Sequence, residues 1–200
     1  WLSTQSMIDA RHIGVMGGSW GGIISLAAAA TDPRLHAVVS WVGPPLPFAG
    51  IERDVPPADF HAVDEPALTF HDKPFPFLPL RASMTAIQSG DLTPFEPAVM
   101  PLGRINGPVM LIAGGDDQMA LSGLFLPLAE KKLGGRPKAA GDRVLYFSDA
   151  GHLIDMNYQP TTQRSEMGPY TPVGGTPQGY ARASAVSGPA VLAFLRNALK

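Results

Sequence analysis

The chain has 200 residues, 45% hydrophobic and 16% charged, which supplies apolar material for one core and too little charge for a disordered chain. A net charge of -2, with Lys and Arg scattered along the chain, excludes the basic footprint of a nucleic-acid binder. With no cysteine there is no disulfide, thiolate metal site or cysteine nucleophile, and no apolar run has the length of a membrane span. No signal-type start is seen either, so a cytoplasmic location is the expectation.

Residues 1–9 carry Trp1, Leu2 and Ile8 at helical spacing and are expected to end a helix leading into a first strand, 13–16. That strand runs into Gly17-Gly18-Ser19-Trp20-Gly21-Gly22 and then into the good helix formers of 23–30. A serine at the apex of so tight a strand-to-helix turn sits in strained backbone, and the pattern G-x-S-x-G keeps the flanking positions Gly17 and Gly21 free of side chains. The helix behind it aims its first amides and the positive end of its dipole at charge developing beside the hydroxyl. The backbone N–H of Trp20 is the natural first oxyanion donor.

Thr31-Asp32-Pro33 breaks this helix, and 35–42 forms a second buried strand closed by Gly43-Pro44-Pro45. Over 44–107 the character changes: more than half of the chain's 21 prolines fall there, mixed with Phe48, Phe60, Phe70, Phe75, Phe77 and Phe95. A regular sheet cannot hold that many prolines. The segment is expected to be an insertion, either an irregular surface connection or a cap walling a pocket with aromatic rings, with a short helix over 79–90.

Order returns with 108–113, a continuous apolar run of parallel-strand type that ends in Gly114-Gly115-Asp116-Asp117-Gln118. A helix over 122–133, a loop over 134–141 and a last strand over 143–147 follow, leading into Ser148-Asp149-Ala150-Gly151-His152-Leu153-Ile154. Residues 155–180 read as an excursion rich in Pro, Gly and Thr. A final helix over 181–199 sets Val186, Ala190, Val191, Phe194 and Leu195 on one face. This alternation predicts one α/β domain over 1–200 with about four mostly parallel strands and flanking helices.

Parallel strands deliver their C-terminal ends to one edge of the sheet, so Ser19, an acid at 116 or 117, and His152 are expected to meet there in the order Ser, Asp, His. Ser19 would attack a carbonyl, His152 would relay its proton and the acid would hold the imidazole. Asp117, three residues beyond Gly114, is favoured as the acid, with Asp116 the alternative or a turn cap. Gly18, Trp41 and Leu153 are the expected pocket residues. His12, His36, His61 and His71 read as structural or solvated; they lack metal-ligand spacing, so neither a metal nor a cofactor is expected.

From Arg11 onward the chain resembles the C-terminal domain shared by acyl-CoA thioester hydrolases and bile acid-CoA:amino acid N-acyltransferases, a branch of the α/β-hydrolase superfamily. The likeness rests on residues 11–19, on residues 105–118, on Gly151-His152-Leu153-Ile154 with Tyr158-Gln159-Pro160, and on Gly174-Gly175-Thr176-Pro177. It implies the C-terminal half of an α/β-hydrolase fold, Ser19 as nucleophile, Asp117 as acid, His152 as base, and a small acyl thioester or ester as substrate. Trp20 stands where the family commonly has a lysine, Ala120 where a tryptophan is usual, and Asp155-Met156-Asn157 replaces a glutamate followed by prolines. Serine at 19 favours hydrolysis over transfer to an amine.

The resemblance also implies earlier strands, an N-terminal domain and a second oxyanion donor after an early strand. The expectation is therefore a chain that is N-terminally incomplete, impaired in isolation, with a sheet edge covered by a further segment or by another copy. The competing readings are a carboxylesterase, dienelactone-hydrolase or peptidase relative, and a non-catalytic binding domain of the same fold.

Overall fold

The computed structural model describes residues 1–49, 65–136, 141–155 and 171–200. Its frame is a four-stranded parallel sheet in the order β1 (Ile13–Gly18), β2 (Leu35–Trp41), β5 (Val109–Gly114) and β6 (Arg143–Phe147). A two-stranded antiparallel pair, β3 (Thr69–Phe70) and β4 (Lys73–Pro74), lies within the insertion. The helices are α1 (Trp20–Thr31), α2 (Leu80–Ser89), α3 (Ser122–Leu133) and α4 (Pro177–Ala198).

Alternation along the two inner strands divides the core into layers. Val38 on β2 and Val109, Leu111 and Ala113 on β5 pack with Ile23 and Leu26 of α1 and Phe125 of α3. Ala37, Val39 and Trp41 with Met110 and Ile112 face the other way, onto Ala183, Val191 and Phe194 of α4. The registers pair Gly18 with Trp41, Trp41 with Ile112, and Gly114 with Phe147, so the C-terminal ends of all four strands share one edge.

The helices expected over 122–133 and 79–90 are present as α3 and α2, the latter stopped by Gly90 in the left-handed conformation (φ 71°). The last helix starts four residues earlier than its apolar pattern indicates. Thr176 caps it by accepting from the Gly179 N–H at 2.9 Å, and Pro177 supplies a first-turn residue that needs no donor. Its buried face is Tyr180, Ala183, Ser187, Val191 and Phe194, whereas Val186, expected inside, is exposed.

The helix expected at residues 1–9 is only a 3-10 turn at Leu2–Thr4. Trp1 and Met7 lie 85% and 88% exposed, so this short segment buries nothing that would offset the cost of ordering a helix. The described part of the insertion contributes to the core: Phe95, Met100 and Leu102 pack beside α1 and α3. Phe60, His61, Met156, Asn157 and Tyr158-Gln159-Pro160 lie outside the described residues.

Candidate active site

Ser19 stands between β1 and α1 with φ 55° and ψ −124°, a conformation that costs a non-glycine residue on the order of 1–3 kcal/mol. The surroundings hold it there: its N–H donates to the Trp41 carbonyl at 2.8 Å, and its own carbonyl accepts from Gly22 and Ile23 at 2.9 and 3.1 Å. A Cβ at Gly17 would lie 2.4 Å from the backbone of Gly21, so the elbow closes only over a bare α-carbon at 17. The second steric demand falls at Gly22, whose Cβ would meet Ser40 Oγ at 2.5 Å, and not at Gly21, which has no described atom within 4 Å of that point. The expectation for Gly17 is thus met and that for Gly21 is corrected: α1 leans on the end of β2 through the residue after the motif.

His152 follows β6 on a 3-10 turn at His152–Asp155, its N–H tied to the Val173 carbonyl at 2.8 Å. Its Nε2 lies 2.8 Å from Ser19 Oγ, and its Nδ1 lies 3.0 and 3.2 Å from the two Asp117 carboxylate oxygens. His152 and Asp117 are 2% and 4% exposed, so the pair exchanges little with water. Asp117 Oδ1 also accepts from the Met119 and Ala120 N–H groups at 3.1 and 2.9 Å. Oδ2 receives the Ser122 N–H at 3.2 Å and the Ser122 hydroxyl at 2.5 Å. Burial pushes the Asp117 carboxyl up, but the hydrogen bond and charge of His152, then the Ser122 hydroxyl and the Ala120 amide, outweigh it and hold the group below the ordinary carboxylate value.

Asp116 points elsewhere. It accepts from the Gln118 side-chain amide at 2.9 Å and from the Gly175 N–H at 2.8 Å, fastening the segment before α4 to the end of β5. Tyr180 works on the same segment: its hydroxyl donates to the Gly174 carbonyl at 2.9 Å and accepts from the Leu153 N–H at 3.4 Å. Burial raises its phenol, and the charges of Asp117 and Asp116 add to the rise.

Trp41 and Leu153 belong to the buried cluster under α4, and Trp41 Nε1 has no hydrogen-bond partner among the described residues. Phe48, from the insertion, meets the Trp20 ring edge-on at 6.3 Å. Trp20 opens α1, where an N–H has no acceptor within the helix. His12 pairs with Asp9 at the surface and His71 is exposed against Phe70. Among the described residues no group of three His, Cys, Asp or Glu could hold a metal, and no helix is long and apolar enough to cross a membrane. Ser122 and Tyr180 are the site residues that sequence reasoning missed; Ser122 was visible only as the start of a helix.

A parallel sheet with helices on both faces, and a serine, an aspartate and a histidine hydrogen-bonded at its C-terminal edge in that chain order, define an α/β-hydrolase-type domain. The family model described as BAAT / Acyl-CoA thioester hydrolase C terminal matches residues 1–200, and the chain belongs to that family. Among solved structures it is similar to a dienelactone hydrolase-like promiscuous phosphotriesterase, P91, from metagenomic libraries (TM-score 0.54, 16% identity, covering 100% of this chain and 57% of that one). The protein designated m3DLH gives the same values. A chain of the dienelactone hydrolase type from Klebsiella pneumoniae follows with TM-score 0.53 and 17% identity, covering 96% of this chain and 54% of that one. The chain therefore spans little more than half the length of these structures, and at such identities the likeness is one of fold. No curated protein matches.

Proposed function

We propose that the chain carries a serine hydrolase centre that cleaves carboxylic thioesters or esters, acyl-CoA thioesters foremost, through an acyl-Ser19 intermediate. The observation that carries this reading is the unbroken hydrogen-bond chain from Ser19 Oγ through His152 to Asp117, at 2.8 and 3.0 Å. As Oγ attacks the carbonyl carbon, His152 Nε2 takes its proton and Asp117 stabilises the imidazolium through Nδ1–H. The carbonyl oxygen becomes an oxyanion facing the Trp20 N–H and the positive end of α1. Collapse breaks the bond to sulfur or oxygen, and the leaving group departs with the proton from His152. Water, deprotonated by the same nitrogen, then attacks the acyl-serine and releases the acid. Gly18, next to the nucleophile, bounds the acyl site with Phe48 as an aromatic wall beside Trp20, and Trp41 and Leu153 back the nucleophile and the base from the buried cluster under α4.

Membership of the family supports the thioester as substrate. Trp20 and Ala120, which depart from the family pattern, make a carboxyl ester the second reading. A fluorophosphonate probe should label Ser19 in the full-length protein and leave Ser19→Ala unlabelled; absence of labelling overturns the proposal. A long-chain acyl-CoA hydrolysed faster than an aryl ester at equal concentration supports the first reading, and the reverse order the second.

A further inference from the structure

The hydroxyl of Ser122 has a duty that neither the fold nor the basic hydrolytic relay assigns to it. Ser122 is 4% exposed and opens α3; the N-cap, Leu121, offers no side-chain acceptor, and the Ser122 N–H donates instead to Asp117 Oδ2 at 3.2 Å. The hydroxyl oxygen accepts from the Gly114 N–H at 3.2 Å and lies 2.5 Å from Asp117 Oδ2. An amide can only donate and a carboxylate only accept, so the single hydroxyl proton is committed to Asp117. The backbone is shaped to deliver it. Leu121 adopts left-handed angles (φ 55°, ψ 35°), turning the chain back on itself immediately before Ser122. At the next residue, Gly123, a Cβ would lie 2.5 Å from the Gly114 carbonyl oxygen, so the first turn of α3 seats directly on the end of β5.

We infer that Ser122 is a fourth member of the relay, a positioning residue whose hydroxyl holds the Asp117 carboxylate in plane with the imidazole and moderates its pull on the His152 proton. The inference rests on the hydrolase reading for its use in catalysis, though not for the coupling itself. A donated hydrogen bond spreads the carboxylate charge; without it the anion holds an imidazolium more strongly, and the base stays protonated to higher pH. Three backbone amides also donate to the carboxylate, those of Met119 and Ala120 to Oδ1 and that of Ser122 to Oδ2, and all three remain in Ser122→Ala, so the variant removes the hydroxyl donor alone. Tyr180 reaches over from α4 with its hydroxyl engaged by Gly174, and Asp116 is tied to Gly175 and Gln118, so neither replaces a lost donor at Oδ2.

The test is an NMR titration of the His152 imidazole nitrogens in the full-length protein, assigned with His152→Asn, beside the pH profile of kcat/KM. In Ser122→Ala the midpoint should rise by about half a pH unit or more, with the acidic limb of the profile following it. kcat should fall about tenfold with KM close to the parent value, since the contact is to a charged group in the relay and not to substrate. Ser122→Cys keeps the shape and weakens the donor; it should give a smaller shift in the same direction, and it carries the test if the alanine variant does not fold. An unmoved midpoint in the folded variants overturns the inference, whatever happens to activity. A midpoint that moves in a protein that neither labels with fluorophosphonate nor turns over leaves the coupling intact and removes the hydrolase reading.

Discussion

Three glycines of the elbow, equivalent in composition, should respond to alanine in three different ways. At Gly17 the added carbon would sit 2.4 Å from the carbonyl carbon and oxygen of Gly21, and at Gly22 it would sit 2.5 Å from Ser40 Oγ and 3.1 Å from the Gly43 α-carbon. The 2.4 and 2.5 Å approaches are shorter than real β-carbons adopt, and 3.1 Å is tight. The obstacle at 17 is backbone, so relief requires β1 and α1 to part. The obstacle at 22 includes a buried serine already bonded to the Gly43 carbonyl at 3.0 Å. Overpacking of this kind costs about 1–3 kcal/mol, or roughly 2–12 °C in melting temperature for a chain of this size. Gly21 has helical backbone and no neighbour within 4 Å of an added Cβ among the described residues, so Gly21→Ala should be neutral or stabilise by up to about 1 kcal/mol through helix propensity.

Activity should separate the variants further. Parting β1 from α1 moves Ser19 relative to His152, and a displacement near 1 Å costs about a hundredfold in turnover. Differential scanning calorimetry and urea denaturation of the three variants, with fluorophosphonate labelling rates for Ser19, read both effects. Gly17→Ala with the parent's melting temperature and labelling rate would refute the steric account, as would a loss at Gly21→Ala equal to that at Gly17→Ala.

Asp117→Asn preserves shape but offers the imidazole the wrong tautomer, so turnover should fall about ten-thousand-fold with KM little changed, measured by steady-state kinetics. The same substitution has a pH signature in stability. Because the folded Asp117 carboxyl lies below its unfolded value, its contribution is complete above the unfolded carboxylate value near pH 4 and is lost as pH falls through the lower folded value. Urea midpoints of the parent should therefore decline through that acid range more steeply than those of Asp117→Asn. Phe125 is fully buried and meets Phe95 edge-on at 5.3 Å; Phe125→Ala should cost about 3–5 kcal/mol in chemical denaturation. Lys131→Ala removes the exposed 2.7 Å ion pair with Glu96 and should change stability by less than about 1 kcal/mol by the same measurement.

What was legible in the sequence was local. Alternation and apolar runs located β1, β2, β5 and β6, the break residues bounded α1, and the strand-to-helix turn singled out Ser19 because its chemistry is written within six consecutive residues. Aspartate and histidine just beyond parallel strands were legible too, since parallel topology alone sends strand ends to one edge. The rest depends on segments far apart in the chain. Ser19 and His152 are separated by 133 positions, and no period or turn signal reports a 2.8 Å contact across that span. The same holds for the choice between Asp116 and Asp117, decided by which carboxylate the β5 turn aims at the imidazole and which it aims at Gly175. It holds as well for the burial of Phe95, Met100 and Leu102 in a segment whose prolines and aromatics left surface connection and pocket cap both open. The sequence by itself determined the order of elements and the kinds of side chain presented at the sheet edge. Only the tertiary structure decided which glycines must be bare and that Ser122 reaches Asp117, because both follow from the distance of approach between packed elements, which no single stretch of chain contains.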